Sequence, residues 1–176
     1  MTDDWEAIRS PADLRDLMLR FLDGDIKWTA WHAGPLDPES EKILTELRRL
    51  TELGVITIGS QPGTHDQRAY VEAVVEDELV GLLRDAAEAH GYLWSENDQR
   101  SGLEPTTQEV VTFDDGKEFS WMTVGVAYPY DDAFIEGGPA QAVVRGMTAI
   151  TVADPEWGSN AMWGVLIEAL ESRDRS

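Results

Sequence analysis

Three times in the first half of the chain, an apolar stripe at helical spacing runs into a glycine. Leu14, Leu17, Met18, Phe21 and Leu22 precede Gly24; Ile43, Leu44, Leu47, Leu50 and Leu53 precede Gly54; Leu79, Leu82, Leu83, Ala86 and Ala87 precede Gly91. Apolar residues spaced this way make one buried helix face, and glycine accepts the left-handed backbone that ends a helix. Short strand-like runs follow the second and third stripes, Val55-Ile56-Thr57-Ile58 and Tyr92-Leu93-Trp94. Helices interleaved with strands restrict the fold class to α/β or α+β, with a mixed sheet of about five or six strands and helices packed on it.

The starts of these elements are also written locally. Ser10-Pro11-Ala12-Asp13 reads as a helix start, because serine caps, proline suits the first turn and aspartate favours the amino end of the dipole. Asp37-Pro38 opens the second helix by the same logic, and Asp77 caps the third. Gly59-Ser60-Gln61-Pro62-Gly63 reads as a tight turn after the first strand, and Arg68 to Val75 as the next strand. The clearest local signal is Asp114-Asp115-Gly116-Lys117 between Gln108–Phe113 and Glu118–Val126, since Asp-Gly between alternating runs specifies a β-hairpin. Residues 97–107 and 128–139 read as loops. A short helix over Ala140–Arg145, a strand over Met147–Val152 and a last helix capped by Ser159 or Asn160 complete the chain, with Met162, Trp163, Leu166, Ile167 and Leu170 inward. No internal repeat is present, and 1–176 reads as a single domain with its core from about residue 11 to 171.

Composition narrows the function classes. Hydrophobic residues make up 42% of the chain and include seven Trp, enough for one core. The net charge is −20, which excludes a bare nucleic-acid binder and leaves no direct nucleic-acid partner expected. Acids are spread over both halves, and the stretch Glu109 to Pro139 has Lys117 as its one basic residue. Two readings of that surface stand: solubility, or a face that docks on a basic protein partner or acts as a DNA-mimicking decoy. The absence of cysteine excludes disulfides, iron–sulfur clusters and cysteine nucleophiles. No apolar run reaches the roughly 18–20 residues of a membrane span. The acidic start Met1-Thr-Asp-Asp-Trp-Glu is unlike a signal peptide, so a cytoplasmic protein is expected.

Familiar catalytic patterns are missing. His32, His65 and His90 are isolated, and Asp131-Asp132 lacks the rest of a calcium loop, so neither metal nor cofactor is expected. Ser60 is outside a GxSxG elbow, and His65 and Asp66 near it in sequence do not by themselves build a triad. Two polar loops remain, each after a strand, where open sheets place ligands. In the first, Ser60 and Gln61 offer donors and acceptors, Gly63 allows close backbone approach, and Gln67 and Arg68 follow. Arg68 is the one positive charge between Arg49 and Arg84; it either holds a carboxylate or phosphate ligand or pairs with a neighbouring acid of the protein. In the second, Asp154-Pro155-Glu156-Trp157-Gly158-Ser159-Asn160, Trp157 offers a flat face and the helix start at Asn160 offers free N–H groups. The alternative is a capping turn whose Trp packs under the sheet.

Ser60-Gln61-Pro62-Gly63 with Gln67-Arg68-Ala69 and Val71 resembles the central signature of an uncharacterised family of actinobacterial and actinophage proteins. Asp154-Pro155-Glu156-Trp157-Gly158 with Asn160 and Trp163 is similar to that family's carboxyl-terminal signature, and Gly34-Pro35-Asp37 and Leu47 to Thr57 also fit. The resemblance implies that the two loops belong to one fold and meet; it implies no activity. The spacer Thr64-His65-Asp66 is shorter and less glycine-rich than the family's.

Three functions follow, in order. The first is a binding domain for a small polar or anionic ligand, nucleotides included, held by Ser60, Gln61, Gln67, Arg68, Asp154, Glu156, Trp157 and Asn160. The second is an acidic interaction module, such as a phage-type inhibitor of a nucleic-acid-binding or defence protein. The third is an enzyme using Asp154 or Glu156 as general acid or base.

Overall fold

The computed structural model describes residues 3–32, 34–129 and 138–173. After a single turn, α1 (Asp3–Glu6), helix α2 spans Pro11–Leu22 with Ser10 as its cap, the Ser10 hydroxyl accepting from the Asp13 N–H at 3.2 Å. Its buried side chains are Leu14, Leu17, Met18, Phe21 and Leu22, the whole of the expected stripe. The second helix starts later than Asp37-Pro38 suggests. Ser40–Ile43 forms a 3-10 turn and α3 covers Leu44–Glu52, because the Asp37 carbonyl takes the first N–H groups while its side chain caps none. Helix α4 (Asp77–Ala89) likewise begins on Asp77 rather than being capped by it: Glu76 stands at the cap, and the Asp77 carboxylate turns away to Thr148 and Arg100.

Strand β1 runs over Ile56–Gln61, so Ser60 and Gln61 are strand residues and not turn residues. A bulge at Ile58 carries the strand past Gly59. The bare Cα there lies opposite Glu72, whose carboxylate would stand 3.1 Å from any added Cβ. Strands β2 (Tyr70–Val75) and β3 (Leu93–Asn97) follow. The hairpin is β4 (Gln108–Asp114) and β5 (Lys117–Thr123), closed by Asp115 and Gly116 at φ 48° and 73°. Two positive φ angles are what a type I′ turn requires, which is why Asp-Gly announces it. The expected second run breaks at Val124: Gly125 turns at φ 84°, and β6 (Gly125–Val126) leaves the hairpin to pair in parallel with β3. Helix α5 (Pro139–Arg145), strand β7 (Thr148–Ala153) and helix α6 (Ala161–Arg173) close the fold. Asp131-Asp132 and most of the loop before α5 lie outside the described residues.

The main sheet has the order β1-β2-β7-β3-β6, antiparallel except for the last pair. The fold is thus α+β, a mixed five-stranded sheet plus a separate hairpin. Helices α2, α3, α6 and α4 pack in that order beside the sheet. Their Leu47, Leu83, Trp163 and Leu166 join Val71, Ala73, Ile150 and Val152 of β2 and β7 in the main core. Strand register puts Tyr70, Ala153 and Leu93 side by side on the other face. Val111 and Met122 of the hairpin pack on those three as a second, smaller core. The hairpin therefore lies over one end of the sheet, against the loop that joins β1 to β2.

Candidate functional site

That loop and the turn before α6 meet. Gly63 donates its N–H to Asn160 Oδ1 at 2.8 Å and accepts from Asn160 Nδ2 at 3.0 Å. Asn160 Oδ1 also accepts from Trp163 Nε1 at 3.3 Å. The close approach that Gly63 permits is by the protein's own backbone, since a Cβ there would fall 2.0 Å from the Ser159 carbonyl oxygen. Gly158 N donates to the Gln67 carbonyl at 3.3 Å, and the amide hydrogen bonds of Thr64 and Gln67 close the small turn between the strands.

The hairpin supplies the third wall. Arg68 N donates to the Val111 carbonyl and Phe113 N to the Asp66 carbonyl, each at 2.9 Å, so residues 66–68 run beside β4 as a short extra strand. Gln61 locks the junction: Nε2 donates to the carbonyls of Arg68 and Val111 at 2.9 and 3.1 Å, and Oε1 accepts from Thr112 Oγ1 at 3.0 Å. Nothing local in residues 108–113 points to this contact, and the roles of Val111, Thr112 and Phe113 were not legible in the sequence.

The eight residues singled out in the sequence are therefore gathered at one end of the sheet, yet most of their polar atoms are engaged internally. The Ser60 carbonyl accepts from Ser40 Oγ at 3.2 Å. Gln67 Oε1 accepts from Thr64 Oγ1 and Nε2 donates to Glu39, both at 3.1 Å. Asp154 is 3% exposed and accepts from Glu156 N at 3.0 Å and Ser159 Oγ at 2.5 Å, which shapes the turn before α6. Its charge, after burial itself, helps push the Tyr92 phenol above its ordinary pKa. The Glu156 side chain is exposed. His65 and Asp66 pair with each other at the exposed tip of their turn, and no hydrogen bond joins His65 to Ser60. Among the described residues no group of three His, Asp or Glu side chains is placed to hold a metal ion.

Arg68 stands apart. Its guanidinium carbon lies 4.7 Å from the centroid of the Trp157 ring, and that ring in turn packs on Phe113 with centroids 5.0 Å apart. A cation over an aromatic face is worth about 0.5–1 kcal/mol at an exposed site. Arg48, Arg49, Arg84 and Arg100 each bridge a carboxylate, but Arg68 makes no ion pair among the described residues. Its Nε is buried and has no hydrogen-bond partner. A buried donor without an acceptor costs about 1–3 kcal/mol, more for a charged group, so it is a feature that the packing alone does not explain. What the arrangement can do is fix an anion: an aromatic shelf holds a planar, permanently charged fork whose terminal donors make no hydrogen bond among the described residues.

A family described as a domain of unknown function (DUF6919) matches residues 1–173. No curated protein matches the chain. Among the described residues no helix is long and apolar enough to cross a membrane.

Proposed function

The chain belongs to the DUF6919 family, and from the rim where its two loops meet we propose that it is a binding domain for a small anionic ligand carrying a phosphate or carboxylate, nucleotides included. One observation carries this reading. In a chain of net charge −20, the Arg68 guanidinium pairs with no acid among the described residues and keeps a buried, unpartnered Nε, held over Trp157. The anion takes the open donors of Arg68, and Glu156 at the exposed lip discriminates among ligands by charge. Gln61, Asn160 and Asp154 serve this site by holding the loops in place. We read the protein as cytoplasmic, in keeping with a sequence free of cysteine. The motif resemblance to actinobacterial and actinophage proteins is compatible with this reading and names no ligand.

The test is thermal unfolding of wild type, Arg68→Ala and Arg68→Lys against inorganic phosphate, nucleoside mono- and diphosphates, and dicarboxylates. A ligand at about 100 times its Kd adds roughly 2.7 kcal/mol, which for a chain of this length is on the order of 5–10 °C. The expected result is a shift with one class in wild type, absent in Arg68→Ala and reduced in Arg68→Lys, which keeps the charge but loses the fork. A flat panel, or an equal shift in Arg68→Ala, refutes the site.

A further inference from the structure

Of the seven Trp residues, Trp121 is the one that the fold leaves exposed, at 46%, and Phe119 beside it on β5 is 64% exposed. Both lie on a strand with a free edge. β5 pairs with β4 on one side, and among the described residues nothing pairs with it on the other. Natural proteins cover or blunt such edges, because a row of unpaired N–H and C=O groups is a template for another strand. The hairpin that carries this edge is net acidic. Glu109, Asp114, Asp115 and Glu118 are all exposed and none is ion-paired among the described residues, while Lys117 is the hairpin's one basic residue.

We propose that the open edge of β5 is a docking site for an extended, Lys/Arg-rich segment of a protein partner, which adds to the hairpin as a further strand. Three features recognise the same occupant. The free backbone edge takes an extended chain by β-augmentation. Phe119 and Trp121 offer ring faces to alternate side chains, and cationic ones gain from them electrostatically. The four carboxylates attract basic residues and repel acidic chains, nucleic acid and anionic lipid. The site lies on the far strand of the hairpin from Arg68 and does not depend on the anion reading.

The probe is a fluorescein-labelled peptide of four Lys-Val repeats, followed by anisotropy with the intact protein. The control is a peptide of four Lys-Pro repeats, equal in charge, whose prolines lack the N–H and hold φ near about −65°, away from strand geometry, which disfavours a regular added strand. The expected result is saturable binding of the Lys-Val peptide. It weakens by about tenfold or more for the Lys-Pro peptide and for the double variant Phe119→Ser/Trp121→Ser, and it falls further with added salt. Amide hydrogen exchange on the Lys-Val complex should slow at β5 and stay unchanged at the edge strand β1. Equal affinity for the two peptides, which is attraction to a −20 surface and nothing more, overturns the proposal. So does undiminished binding by the double variant, whose fold is checked by circular dichroism, and so does the absence of binding.

Discussion

Replacing Gly63 by alanine places a methyl group where the backbone of residues 158 and 159 already lies. The added Cβ would fall 2.0 Å from the Ser159 carbonyl oxygen, 2.8 Å from the Ser159 carbonyl carbon and 3.1 Å from the carbonyl carbon of Gly158. These are backbone atoms, so no rotamer change relieves the clash, and the two loops must part. Forced overpacking costs about 1–3 kcal/mol. Parting also breaks the two Gly63–Asn160 hydrogen bonds, each worth roughly 0.5–1 kcal/mol at an exposed junction. The expected loss is about 2–5 kcal/mol, or a fall in Tm of roughly 4–20 °C at this length. Urea denaturation monitored by tryptophan fluorescence measures it. Gly81→Ala and Gly164→Ala are the internal controls: both glycines sit in helices with nothing within 4 Å of the added Cβ, so each should gain about 0.5–1 kcal/mol. Asn160→Ala removes the same hydrogen bonds without the clash, so its cost and that of Gly63→Ala should combine to less than their sum. If Gly63→Ala unfolds within about 0.5 kcal/mol of wild type, the loops do not meet as described and the argument for a shared rim fails.

Two carboxylates should titrate with opposite sign. Burial raises the Glu72 pKa, against a weaker lowering by the Tyr70 hydrogen bond, so the folded state holds its proton longer than the unfolded chain. Stability tied to Glu72 is therefore full below the ordinary glutamate range and is lost as pH rises through the higher folded value; Glu72→Gln should be more stable than wild type at neutral pH, with the gain vanishing in acid. Hydrogen bonding by Thr148 and then Arg100 lowers the Asp77 pKa, so its contribution is present above the ordinary aspartate range and lost as pH falls through the lower folded value. Asp77→Asn should thus be less stable than wild type at neutral pH and equal to it in strong acid; pH-dependent thermal melts read both. Gln61→Ala breaks three hydrogen bonds that tie β1 to the loop and the hairpin. It should cost about 2–3 kcal/mol and loosen the hairpin amides in hydrogen exchange; unchanged exchange there would show that the hairpin is held by its apolar contacts alone.

What the sequence makes legible is what short-range physics decides. Ser10 and Pro11 start α2 because capping needs a hydroxyl three residues from a free N–H, and Asp115-Gly116 make the hairpin because both accept positive φ. The strand through Gly59 and Ser60 is illegible for a related reason. Glycine and proline together read as a turn, but here Gly59 is small to spare Glu72 on the next strand, a cause that lies 13 residues away along the chain. The break at Val124 has the same character, since β6 leaves the hairpin to follow β3. At the rim, composition singles out the residues without telling which of their atoms stay free. In sequence Gln61 offers a side-chain donor and the helix start at Asn160 offers N–H groups, but the Gln61 amide is engaged by the Arg68 and Val111 carbonyls and the Asn160 side chain by the Gly63 backbone.

The distinction between atoms engaged and atoms left over is what separates Arg68 from its neighbours. Trp28 Nε1 is the other buried side-chain donor without a partner among the described residues. It is a neutral indole N–H, so leaving it without an acceptor costs less than leaving a charged donor so. An arginine in a chain with 34 acidic side chains has no shortage of acids to pair with, and Arg48, Arg49, Arg84 and Arg100 all find one. Arg68 pairs with none among the described residues: its backbone is fixed to β4, its guanidinium rests on Trp157, and the Asp154 carboxylate is engaged with Ser159 and the Glu156 N–H. Among the described residues this sets Arg68 apart from the arginines that are spent on ion pairs, and it is this difference on which the proposed anion site rests.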